Sequence, residues 1–280
     1  MTDHDVGREP EGFDALLPDA MARKAEQAGM AKAQRDGLRL FMLAVLAGAF
    51  IALGAMLSTV VATGSAAWPF GVARLLVGLA FSLGLILVVI GGAELFTGDA
   101  LMVMAVASGK LPIARLLRAW ILIYVGNFAG AVGTAVLVFL SGYAALDGGN
   151  AGQMVLNIAA AKSQLAPMPA FFLGVLCNVL VCLAVWLSFS ARSVADRILA
   201  VVPPVTAFVA AGFEHSIANM YFIPLGLMIE AQRGIAVAGL DAMGLVRNLV
   251  PVTLGNVAGG AVLVGGVYWL IYLRRSERHD

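Results

Sequence analysis

The sequence predicts an all-α polytopic membrane protein with six transmembrane helices, arranged as an inverted repeat of 3+3 with the second and fifth helices broken. Three observations lead there. Of 280 residues, 61% are hydrophobic and only 12% charged, with a mean hydropathy of +0.91, whereas soluble domains carry about 25% charged residues. The chain holds six long uncharged stretches that are continuous rather than alternating, which excludes a β-barrel. Two of them are interrupted by polar residues at corresponding places in the two halves.

Residues 1–36 are polar and lack the apolar core of a cleavable signal peptide. Within them, Pro18-Asp19 followed by residues 20–35 reads as a capped, weakly amphipathic helix. Two readings stand for it: a helix packed under the membrane domain, or a solvated leader. Residues 37–273 form the six-helix membrane domain, with repeats at 37–146 and 163–273, and 274–280 form a short tail. The first span, 40–61, carries Gly48 and Gly54, small residues of the kind that close helix contact in a membrane needs. The second begins with uncharged residues 75–93, continues through Glu94-Leu95-Phe96-Thr97-Gly98-Asp99, and ends in uncharged residues 100–109. A straight helix over 75–109 would be about 50 Å long, well beyond the hydrocarbon core. A break near Thr97-Gly98 resolves this, with Gly98 permitting an irregular backbone and Asp99 capping the half-helix that follows.

The third span, 119–146, carries Gly126-Asn127-Phe128-Ala129-Gly130-Ala131. The fourth, 163–191, contains Cys177 and Cys182, read as small packing residues rather than a disulfide or metal site. The fifth, 198–229, is interrupted by Gly212-Phe213-Glu214-His215-Ser216. Neither of its two uncharged pieces reaches the roughly 20 residues that spanning takes. The sixth, 248–273, carries Gly255-Asn256-Val257-Ala258-Gly259-Gly260, the counterpart of the motif in the third. Three spans per half is an odd number, so the halves lie in opposite orientations and the two breaks meet near the midplane.

The net charge of +1 implies no partner, and no nucleic acid is expected, but the distribution of charge is informative. The N-terminus, the connections before residue 119 and at 192–197, and the C-terminus together hold 14 of the 18 Lys and Arg residues. The positive-inside rule therefore puts both termini in the cytoplasm. An enzyme would need a nucleophile with its base or a metal cluster. The three histidines are His4, His215 and His279, of which one lies in a span, so neither can be assembled, and no metal or cofactor is expected. A neutral-solute channel of the aquaporin type would want two Asn-Pro-Ala starts, and that tripeptide does not occur. A signalling protein would want an output domain, and the longest stretch outside the membrane is 36 residues.

His215, at the break of the fifth span, is the first candidate functional residue. Ionisable groups at membrane depth are costly unless they line a cavity or a permeation path, so the site points to transport. An anion entering an apolar membrane centre bears a large desolvation penalty that a proton on either partner reduces, and an imidazole can supply one. Thr97, at the other break, offers a hydroxyl to an anion or to the imidazole. Glu214 either orients the ring or is a buried acid satisfied by helix ends. Glu94 and Asp99 read as braces of the first break. The half-helices starting near Asp99 and Ser216 aim their positive ends inward and favour an anion. Asn178 and Asn256 are polar residues within spans, with interhelical hydrogen bonding as one reading and a pore-facing position for Asn256 as the other. Lys162 reads from its position as an interfacial lysine.

Four stretches then resemble signatures of one family. They are Phe81-Ser82-Leu83-Gly84-Leu85 leading to Gly92–Gly98, Gly174–Trp186, Gly212–Asn219 with Met220 to Pro224 after it, and Pro251–Asn256. Together they are similar to the formate/nitrite transporter family. The resemblance implies an aquaporin-like fold, a homopentamer with a pore in each protomer, and a bacterial-type inner membrane as setting. It implies passage of small monovalent anions and protons, with formate first and nitrite or hydrosulfide as the alternative. It also implies that His215 is the central pore histidine faced by Thr97, and that Lys162 draws anions to the outer vestibule. Apolar constrictions are implied at Leu85, Leu95, Phe96 and Phe208, with Phe81 nearby.

Overall fold

A computed structural model describes residues 15–274, so the first 14 residues of the N-terminal segment, the last six of the tail, and with them His4 and His279, lie outside the described residues. Helix α1 (Pro18–Ala33) precedes α2 (Gly37–Ala62) and α3 (Phe70–Gly91). A 3₁₀ turn at Gly98–Met102 leads into the short α4 (Val103–Ala107), and α5 (Ile113–Leu140) completes the first half. The second half runs through α6 (Asn150–Ser163), α7 (Pro167–Ser190), α8 (Val194–Ala211), α9 (Ser216–Arg233) and α10 (Ala242–Val257). A π-helical segment at Ala258–Gly266 then joins α10 to α11 (Val267–Tyr272). Among the described residues, six helices are long and apolar enough to cross a membrane, α9 not being counted among them. Large apolar side chains such as Phe70, Ile121, Leu137, Leu140 and Leu254 cover the outside, the pattern expected where lipid or another protomer is the solvent.

The two halves repeat each other in detail. Helix α2 packs on α3 and α5 as α7 packs on α8 and α10. Both breaks open with a left-handed glycine, Gly92 (φ 72°) and Gly212 (φ 79°), a conformation that glycine reaches without a Cβ penalty. The close approach of α5 to α2 also rests on glycine. A Cβ at Gly130 would overlap the carbonyl of Val45, and one at Gly259 would overlap that of Val175.

The structure corrects four boundaries. The third span starts at Ile113, six residues before the uncharged run, because Arg115 and Arg118 are carried by its first turns; long basic side chains can extend along a helix to reach water. It also ends earlier, at Leu140, and the following residues turn through left-handed Gly142 and Asp147. Residues 150–163 form a separate helix where the sequence reading had a connection. Asp99 does not cap the half-helix after the first break: its carboxylate takes Lys32 Nζ at 2.5 Å, and that half-helix opens as 3₁₀ with no side-chain cap.

Helices α1 and α6 are the unforeseen part of the repeat. Each precedes the first span of its half, each packs on the half-helix beyond that half's break, and each ends in a lysine-containing turn, Lys32-Ala33-Gln34 and Lys162-Ser163-Gln164. Of the two readings for residues 18–33, the packed helix is the one seen: Met21, Ala22, Ala25 and Gly29 are buried.

Overpacking a close helix contact costs about 1–3 kcal/mol. Gly130→Ala should therefore lower the thermal midpoint of the solubilised protein measurably. Gly133→Ala, three residues away where a Cβ meets nothing within 4 Å, should leave it unchanged. Equal midpoints for the two variants would contradict the close approach of α2 and α5.

Candidate functional site

Breaking a helix inside a membrane strands backbone donors and acceptors that water cannot reach. Two asparagines solve this in the same way. Asn127 Oδ1 accepts from Phe96 N at 2.9 Å while Nδ2 donates to the carbonyls of Ala44 (2.7 Å) and Glu94 (2.9 Å). Asn256 Oδ1 accepts from Ser216 N at 3.0 Å while Nδ2 donates to Gly174 (2.8 Å) and Glu214 (3.0 Å). Backbone pairs repeat as well, Glu94 N to Leu43 O at 3.2 Å and Glu214 N to Leu173 O at 3.3 Å. Asn256 therefore gives its whole amide to backbone and does not face a pore, correcting that reading. Asn178, whose Nδ2 donates to the Asn256 carbonyl at 2.6 Å, stands behind it.

With both breaks tied down, His215 and Thr97 meet. His215 is the N-cap of α9, its Nδ1 accepting from Ala218 N at 3.1 Å. An acceptor nitrogen carries no proton, so the neutral ring holds its hydrogen on Nε2. Nε2 lies 2.9 Å from Thr97 Oγ1 and donates to it. The threonine hydroxyl hydrogen is thereby left free to point elsewhere. Both side chains are buried, Thr97 completely.

Two cavities approach this contact from opposite ends. One of ≈ 350 Å³ is lined by His215, Phe208, Phe81, Glu214, Lys162 and Arg74 among others. The second, ≈ 270 Å³, opens on the α1 side and is lined by Leu85, Leu95, Glu94, Asp99, Lys32 and Arg35 among others. Thr97 lines neither, but its partner His215 lines the first and its neighbour Gly98 the second. Phe81 and Phe208 meet edge to face at 5.8 Å, and Phe208 stacks along His215 at 6.0 Å and 19°. Apolar groups line both cavities, Phe81 and Phe208 on one and Leu85 and Leu95 on the other. Phe96 lines neither cavity; its ring makes edge contacts with Tyr124 (4.9 Å) and Trp120 (5.9 Å) of α5, and its backbone N–H is held by Asn127 of the same helix.

The acids at the breaks are each neutralised by the half-buried helix of their own half. Lys162 Nζ lies 2.8 Å from Glu214 Oε1, and Asn219 donates to Glu214 Oε2 at 2.6 Å. In the other half Lys32 reaches both Glu94 (2.8 Å) and Asp99 (2.5 Å), and Arg35 also pairs with Glu94. Burial works against the Lys32 charge, but the carboxylates of Asp99 and Glu94 outweigh it and raise its pKa above the ordinary lysine range. Lys32 escaped the sequence reading although it stands to α2 as Lys162 stands to α7, 130 residues on. Lys24, which donates to the Phe189 carbonyl at 2.9 Å, is lowered by burial and then by nearby Arg197 and Arg192. With Lys24, Lys32, Arg35 and Arg197 against Glu94 and Asp99, the α1-side mouth keeps a positive excess.

Residues 19–270 match the formate/nitrite transporter family. The chain belongs to that family. It is 44% identical over 279 aligned positions to the formate channel FocA of Escherichia coli K12, covering 95% of this chain and 98% of the relative. Among solved structures, it is similar to a pentameric formate channel with formate bound, with 43% identity, a TM-score of 0.78, and coverage of 85% of this chain and 98% of the other. It is also similar to an FNT family ion channel, with 29% identity, a TM-score of 0.80, and coverage of 90% and 98%. Membership agrees with the twofold design of breaks, braces and paired cavities.

Removing a buried hydrogen-bonding side chain leaves its partners unsatisfied at about 1–3 kcal/mol each. Asn127→Leu and Asn256→Leu should each lower the thermal midpoint of the solubilised protein, by similar amounts because they brace equivalent breaks. A midpoint unchanged in either variant would show that the brace is dispensable.

Proposed function

We propose that this protein conducts formate across a bacterial-type cytoplasmic membrane through a pore in each protomer of a homopentamer, with both termini on the cytoplasmic side. The observation that carries the reading is the buried Thr97–His215 contact, 2.9 Å long, held between two cavities behind apolar side chains. The formate channel similar over 95% of this chain supports the substrate, and the pentameric formate-bound structure supports the assembly. The basic α1-side mouth supports the orientation.

The chemistry follows from desolvation. A carboxylate leaving the cavity on either side must pass apolar groups without water, at a large cost for the charge. The Thr97 hydroxyl, relieved of its acceptor duty toward the solvent by His215 Nε2–H, offers its own hydrogen to the anion. A proton arriving at the ring would occupy Nδ1 and displace the Ala218 N–H, so that both nitrogens become donors. Such a ring can give a proton to formate, and the neutral acid crosses the apolar groups far more easily. Lys162 at the external cavity offsets the Glu214 carboxylate that would otherwise repel anions, its ammonium 2.8 Å from Glu214 and 5.6 Å from the Phe222 ring.

Three outcomes test the reading in proteoliposomes. Formate should permeate while sodium does not, and equal conductance of the two would refute an anion pore; nitrite or hydrosulfide outpacing formate would reassign the substrate. His215→Asn keeps size and hydrogen-bonding capacity but cannot titrate, so the pH response of formate flux between pH 5 and 8 should disappear. Identical profiles for wild type and variant would remove the histidine from the proton step. Lys162→Ala should reduce uptake at low formate, with the deficit shrinking at high ionic strength as exposed charges are screened; a deficit independent of salt would mean that the lysine acts by packing alone.

A further inference from the structure

The external cavity has three charged side chains on its wall: Arg74, Lys162 and Glu214. Lys162 and Glu214 form an ion pair at 2.8 Å and cancel. Arg74, from the first turns of α3, has no carboxylate partner among the described residues. Its Nε donates to the carbonyl of Ala210 at 2.8 Å and its Nη2 to that of Val209 at 2.6 Å. Those carbonyls belong to the last turn of α8, just before the left-handed Gly212 and the break that holds Glu214 and His215.

The C-terminal end of a helix carries about half a negative charge on its unbonded carbonyls. Unneutralised, the end of α8 would face incoming anions with the wrong sign. An arginine is always charged, and its planar fork suits two adjacent acceptors. Hydrogen bonds to neutral carbonyls leave its full positive charge uncancelled. The three side chains therefore sum to +1, and the uncompensated unit is that of Arg74.

We propose that Arg74 sets the positive potential of the external vestibule and holds the end of α8 that positions Phe208 and His215, so that anion entry from this side depends on it more than on the Lys162–Glu214 pair taken together. On the α1-side cavity the corresponding arginine of α8, Arg197, lines the wall beside Lys24, Lys32 and Arg35, and among the described residues no side-chain bond from it to the end of α3 is seen. The two mouths thus share an arginine from the start of the crossing half-helix but use it differently.

The functional part of this inference rests on the anion-pore reading, but its electrostatic part can be measured without transport. Ala161 lines the cavity and is exposed, and both native cysteines are buried. In an Ala161→Cys background, the rates of modification by a sulfonate-bearing and a trimethylammonium-bearing methanethiosulfonate give the local potential as a ratio. Arg74→Gln should lower the anionic-to-cationic ratio about tenfold, a size consistent with one charge focused in a cleft. Arg74→Lys should restore most of it. Neutralising the pair together, Lys162→Gln with Glu214→Gln, should leave it near the parent value. In the same preparations Arg74→Gln should raise the external formate KM and abolish its salt dependence, while half-saturation from the α1 side stays as in the parent, which also shows that the variant is folded. An unchanged labelling ratio in Arg74→Gln, or a fall as large in the double variant, would overturn the proposal. Wild-type liposomes that pass no formate would overturn the transport reading alone, with the labelling ratios still deciding the role of Arg74.

Discussion

Everything at the centre of this protein depends on satisfying backbone groups where two helices stop inside the membrane. There is no water at that depth to accept a stranded N–H or to donate to a stranded carbonyl. Asn127 and Asn256 do this work from the neighbouring span, each bridging three backbone groups across its break. They reach because Gly130 and Gly259 let the bracing helix lie directly on the first helix of its half. Glycine and asparagine therefore act as one unit: the glycine brings the backbone close, and the amide uses that closeness.

Once the breaks are fixed, the site follows with few further requirements. The second break ends at His215, whose ring caps α9, and the same ring reaches the first break at Thr97. A residue that caps one helix start and also reaches a hydroxyl at the other break has both nitrogens committed. The buried acids Glu214, Glu94 and Asp99 would be costly alone, and the half-buried helices α1 and α6 supply their cations. Those helices tie the two breaks to segments outside the spans.

Much of this was legible in the sequence, for physical reasons that can be named. A run of 35 residues too long for a bilayer and a run interrupted by Glu214-His215 each require a break, and a repeated Gly-Asn motif signals a repeated structure. The same motif was harder to interpret. An asparagine inside a span looks the same whether its amide faces a path or a broken backbone, and only geometry separates the two for Asn256. The contacts of the Phe96 ring with Tyr124 and Trp120 likewise depend on how α5 packs beside the break, which no spacing rule contains. Helix α6 was missed because Lys162 marks off the hydrophobic run that follows, leaving the shorter stretch before it as a connection, and Lys32 because the repeat was compared only from the first span onward. The π-helical stretch 258–266, where Gly260 faces Asn178 and Cys182, has no sequence period of its own.

The central claim is that His215 serves at once as the cap of α9 and as the donor to Thr97, which commits Nδ1 to accepting and Nε2 to carrying the proton. Nitrogen-15 NMR of histidine-labelled protein in lipid, with His215→Asn used for assignment, reads this directly. The account predicts an unprotonated, hydrogen-bonded Nδ1 and a protonated Nε2 at neutral pH. A ring protonated at Nδ1 under those conditions would contradict it.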